Sequence, residues 1–227
     1  MMDCNDLLEF LVKGTKELHA INGSTIPKVF IGQKGKAAMV AFDVNDLLTS
    51  VDNKDVLNYA LAHLILMNKS IELIGKTFEV FTCGMSANEG ETSEEAQKRI
   101  EKCISDAGGV GNLPETLRDE GVFISADSRD GVNLNQTLTI DKSNSKSFIS
   151  DSPVSIQSQG RLTNHFWLAK SYETALLSVK EESPSFNQAE LARHYESKGT
   201  KGQVRAYEIA KQMNKMIKQN KVPRIYH

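Results

Sequence analysis

Residues 76–85 read KTFEVFTCGM, an alternating run rich in aromatic and β-branched side chains, and such a run is expected to form a strand. It is expected to share a sheet with a hairpin upstream. There, PKVFIGQKGKAAMVAFDV (27–44) holds two β-type runs, Lys28 to Ile31 and Lys36 to Phe42, around a Gly-Gln-Lys-Gly turn. From Val44 to Ile74 the spacing predicts helix, interrupted near Val51-Asp52-Asn53. Ala60, Leu61, Leu64, Ile65 and Leu66 make it apolar on most sides, as suits the helix on which a sheet packs.

The pattern extends in both directions. Leu7, Leu8, Leu11, Val12 and Leu18 fall at helical spacing between Asp6 and Ala20, and Gly23 is the expected stop. Thr92 and Glu95 form a capping box ahead of AQKRIEKCISDA, and Gly108-Gly109 ends that helix. GVFISA and NLNQTLTI are short β-like pieces joined by a turn at Ser128 to Gly131. The fold class expected is α+β: a small, mainly antiparallel sheet packed on helices, with an all-helical C-terminal part. DKSNSKSFISDSPVSIQSQG (141–160) is serine-rich, contains Pro153 and reads as a loop or boundary. The division expected is an α+β body over 1–150, a serine-rich loop over 151–160 and a basic helical region over 161–227. In that last region NHFWLAKSYETALLSV is apolar nearly all round, so Phe166, Trp167, Leu168, Leu176 and Leu177 are expected to be buried against the body.

The 227-residue chain is 40% hydrophobic and 25% charged, values of a soluble globular protein. Its longest apolar run, Tyr59 to Met67, is too short to span a membrane. The N-terminal MMDCNDLLEFLVKGTKEL carries acids where a secretory signal would carry lysines. Cys4, Cys83 and Cys103 include no C-x-x-C pair, which points away from a disulfide framework or structural zinc and toward a reducing cytoplasm.

Chemistry-bearing patterns are sparse. His19, His63, His165, His194 and His227 have no metal-ligand spacing, and no cofactor motif is present. GQKGK at 32–36 is too short for a phosphate-binding loop. In Asp127-Ser-Arg-Asp130-Gly-Val-Asn133 an arginine, Arg129, stands where a calcium loop needs a ligand. Cys83 precedes Gly84 at a strand end but is tied to no histidine by any motif, and an inert thiol is expected. No catalytic residue is assigned, and the expected function is non-enzymatic.

The formal net charge of -2 conceals an uneven distribution. Between Ser197 and His227 stand Lys198, Lys201, Arg205, Lys211, Lys215, Lys218, Lys221 and Arg224 against the single acid Glu208, so the remainder is acidic. With about 100° per residue from Val204, Ala206, Ile209, Ala210, Met213, Met216 and Ile217 make one apolar stripe, and Lys211, Lys215 and Lys218 lie opposite. A short helix is expected before it, Gln188 to Glu196, with Ser185 or Asn187 as caps.

The stretch QAELARHYESKGTKGQVRAYEIA (188–210) resembles the helix-turn-helix modules that bind DNA. On that resemblance Leu191, Ala192, Tyr195 and Val204 are inner contacts. Gln203 and Arg205 are nearest the bases, and Thr200, Lys201, Lys211, Lys215 and Lys218 meet phosphates. Arg224 and Tyr226, beyond Pro223, add a tail that could stack on a base or enter a partner's pocket. The expected partner is therefore nucleic acid, with DNA first. The acidic body would then serve for homo-oligomerisation or for contact with another protein. The competing readings are an adaptor or inhibitor whose basic helix docks on an acidic protein, an enzyme on the α+β body, and a lysine face that is simply solvated.

Overall fold

The computed structural model describes residues 2–36, 38–48, 51–83, 85, 87–156, 165–182 and 201–219. Seven strands form one antiparallel sheet: β1 (Lys28–Gln33), β2 (Val40–Asp43), β3 (Ile71–Cys83), β4 (Arg118–Ser128), β5 (Asn133–Asp141), β6 (Asn144–Asp151) and β7 (Ser155–Ile156). Their order is β2-β1-β3-β4-β5-β6, with β7 also pairing β5. Among the described residues five α-helices accompany them: α1 (Cys4–Asn22), α2 (Val51–Met67), α3 (Ser93–Asp106), α4 (His165–Glu182) and α5 (Lys201–Lys218). The α+β class is as expected.

α1 covers one face of the sheet. Leu7, Leu8 and Leu11 pack there with Leu73, Val122, Ile124, Ala126, Leu134 and Leu138. Asp3 caps the helix through the backbone amides of Asn5 and Asp6, and Gly23 ends it at φ 69°, a left-handed conformation that glycine adopts without strain. The opposite face carries α2, whose Leu57, Leu61, Leu64 and Ile65 meet Val29, Ile31, Ile74 and Phe78. Phe166 and Ala169 of α4 and Ala210, Met213 and Ile217 of α5 complete that core. Strand alternation feeds both layers, since adjacent residues point to opposite faces.

Three expectations change. The helix expected over 44–74 stops at Met67 and β3 starts at Ile71. The Asn68 side chain accepts from the Ser70 amide and hydroxyl, making a turn that competes with helix continuation. Residues 144–151, read as part of a serine-rich loop, form β6, an edge strand whose register on β5 shifts twice. Trp167, expected to be buried, is 63% exposed, because the core side of its turn is taken by His165, Phe166 and Ala169, with Leu168 packed partly against it; the side chains of Leu176 and Leu177 lie outside those described.

Candidate nucleic-acid interface

α5 is held on the body by its apolar stripe. Ala206, Ala210, Met213 and Ile217 are buried, and Ala206 packs with Val56 and Ala60 of α2. These alanines let the two helices approach closely at their crossing. Polar bonds mark the two ends of the contact. Arg205 Nη1 donates to Asn53 Oδ1 at 2.8 Å, and Asn68 Nδ2 donates to Asn214 Oδ1 at 3.1 Å, so α2 and α5 run in the same direction.

With the stripe spent on α2, the opposite side of α5 meets solvent. Lys201, Arg205, Lys211, Lys215 and Lys218 are all exposed. At about 100° per residue, Lys211, Lys215 and Lys218 lie within roughly 60° of one another, with Lys201 and Arg205 at the margin. Lys211 is partly engaged: its Nζ lies 3.0 Å from Glu208 Oε1 and 5.4 Å from the centre of the Tyr207 ring. Lys215 and Lys218 stand in the last turn, where a cation also complements the helix dipole. Gln203 is half-buried. Thr200, Arg224 and the expected first helix (188–196) lie outside the described residues, as does the tail beyond 219.

A second constellation was not anticipated. On the α2-facing side of the sheet, cross-strand pairs place Lys76 beside Ser125 and Asp127 beside Asn133, with Asn135 next to Ser125. Lys76 and Asp127 are fully buried, their Nζ and Oδ2 2.6 Å apart in an ion pair that is not aligned as a hydrogen bond. Asn133 Nδ2 donates to Asp127 Oδ1, and Asn135 Nδ2 donates to Asn133 Oδ1 at 2.8 Å. His165, at the start of α4, is fully buried close enough to feel the Lys76 charge. Burial first, and then Lys76, hold its imidazole well below the usual histidine range, in the neutral form. Neither of its ring nitrogens has a hydrogen-bond partner among the described residues. The signal for this row was strand phase: Lys76 alternates with Phe78 and Val80, the inward set of β3, and Asp127 alternates with Ser125 and Phe123.

No protein-family model, curated protein or solved structure matches this chain. The buried row joins Lys76 and Asp127 by charge and Asp127, Asn133 and Asn135 by hydrogen bonds, a linkage across β3, β4 and β5 suited to fixing their register. Cys4 is likewise no reagent. Its Sγ donates to Ala126 O at 3.2 Å, and burial, with the Asp127 charge, raises its pKa to about 11. Cys83, half-buried, ends β3 in register with Arg118. Among the described residues no helix is long and apolar enough to cross a membrane. The exposed cations of α5 are left as the group best placed to meet a large anionic partner.

Proposed function

We propose that this chain is a non-enzymatic, cytoplasmic DNA-binding protein of regulatory or accessory type, whose α5 lies along the phosphate backbone. The observation that carries this reading is the division of α5 into a buried apolar stripe and an exposed basic side. A helix already anchored on a core presents its lysines without a backbone-ordering cost at binding, and 18 residues give a ridge roughly 25 Å long. Lys215 and Lys218 are the principal phosphate contacts. Lys201, Lys211 and Arg205 flank them, and the half-buried Gln203 is less open to a base than the exposed Arg205.

The test is binding to a labelled random duplex across a salt series. Three to five neutralised phosphates give a log–log slope of roughly -3 to -4.5 and an affinity loss of about two orders of magnitude between 50 and 200 mM salt. Changing Lys211, Lys215 and Lys218 to glutamine should flatten the slope by roughly 2.7. Absence of binding at 50 mM salt, or an unaltered slope in the triple variant, overturns the proposal.

A further inference from the structure

α1 carries a second apolar stripe beside the one that packs on the sheet. Phe10, Leu18 and Ile21 lie on its flank, above the β1–β2 side of the sheet. With Ile26 they rank among the most exposed large hydrophobic side chains of the described residues, Phe10 at 52% and Ile21 at 69%. They converge on a single hollow of ≈ 530 Å³ floored by Phe30, Ala41 and Thr77. That volume lies within the usual range of small-molecule sites.

Two features show that the hollow is part of the fold. Gly14 stands in the middle of α1, where glycine costs helix stability, and a Cβ built there would meet nothing within 4 Å. A larger side chain at that position would enter the space. The far wall, Ser24 to Ile26, is tied down at both ends of Thr25: its amide donates to Glu79 Oε1 at 2.7 Å, and its hydroxyl lies 3.1 Å from His19 Nδ1. The hollow is thus preformed.

Its one charged lining residue is Lys28. Lys28 lies across the strands from Thr77 and Asp43, and the Asp43 Oδ1 is engaged by the Asn45 amide. An apolar chamber with a single ammonium at its rim complements a molecule with one anionic head and one hydrocarbon tail. We infer that this hollow binds a free single-chain aliphatic carboxylate, with the tail over Gly14 between Phe10, Leu18 and Phe30 and the carboxylate at Lys28.

Calorimetric titration of the full chain with octanoate, decanoate and dodecanoate, each below its micellar concentration, tests this. One site per chain is expected, tightening about fourfold per added methylene, the equivalent of ~0.8 kcal/mol. Lys28→Gln should weaken decanoate at least tenfold and leave decanol unchanged. Gly14→Leu should abolish binding of both while its thermal melt stays at or above that of the parent, since leucine is the better helix former. No saturable binding, binding that survives Gly14→Leu, or an equal loss of carboxylate and alcohol on Lys28→Gln overturns the inference. So does a concentration-dependent dimer that Ile21→Glu dissociates, because a second copy would then cover the hollow.

Discussion

Replacing Lys76 with methionine leaves the Asp127 carboxylate buried at 0% exposure without its counter-charge. At 2.6 Å the pair's gross attraction is about 6 kcal/mol at an effective dielectric constant of 20. Desolvation offsets much of this when both charges are present, and when one is removed the other keeps its desolvation penalty with no attraction to offset it. Lys76→Met and Asp127→Asn should therefore each cost about 3–5 kcal/mol, a large share of an ordinary domain's stability. The double variant should cost far less than their sum. It removes both charges, and asparagine at 127 keeps an acceptor for Asn133 Nδ2. Urea unfolding of all four proteins at pH 7 gives the coupling energy, expected at about 3–6 kcal/mol. If either single variant is unfolded without urea, the double should regain a cooperative transition. Single costs below about 1 kcal/mol, or additivity within about 0.5 kcal/mol, would refute the view that this pair is a mutually dependent unit.

Acid should weaken the fold before most carboxylates titrate. Burial lowers the His63 pKa from its usual 6.5 to about 4, so the unfolded chain binds a proton between those values that the folded chain does not. Stability is fully present above pH 6.5 and falls as pH drops toward 4; about 2 kcal/mol should be lost between pH 7 and pH 5. His165 acts in the same direction. Urea midpoints at those two pH values check this, and His63→Phe, which keeps a ring against Tyr172 and Tyr207, should halve the loss or better. Gly121→Ala should cost about 3 kcal/mol, because its Cβ would lie 2.7 Å from the Leu138 carbonyl oxygen. Gly75→Ala should cost nearer 1 kcal/mol, because the atom met at 2.6 Å is the movable Leu11 Cδ1; denaturant titration ranks the two. Ala210→Leu, fully buried against α2, should destabilise by about 1–3 kcal/mol. It should also weaken duplex binding without altering the charge of α5, a loss that titration at 50 mM salt detects.

Local signals carried most of the fold. Gly23, the Thr92–Glu95 box and Gly108-Gly109 act within a few residues of themselves, so the end of α1 and both ends of α3 were legible, whereas the Asp3 cap was not read and α1 starts two residues before Asp6. The apolar stretch through Leu64, Ile65, Leu73 and Ile74 was not, because a buried helix and a buried strand share that composition. Only the Asn68 turn separates them. β6 was missed because an edge strand is polar and has few of the branched residues that mark interior strands. On α5 the stripe and the lysines followed from periodicity alone, whereas the bond from Arg205 to Asn53 depended on where that helix docks. The buried row needed both strand phase and strand order. Lys76 and Asp127 are 51 positions apart in sequence, and nothing local announces that antiparallel pairing brings them together.

The two margins of the sheet limit how this molecule can meet others. β2 is four residues long, and β6 is displaced from β5 by two register shifts, with β7 taking its place beside Leu134 and Asn135. A long, straight, unpaired backbone ladder is what lets a foreign strand add to a sheet or identical chains stack into fibrils. With one rim too short and the other kinked, strand addition is disfavoured at both. Along these two margins association falls to side-chain surfaces, where charge and shape, unlike backbone pairing, can discriminate between partners.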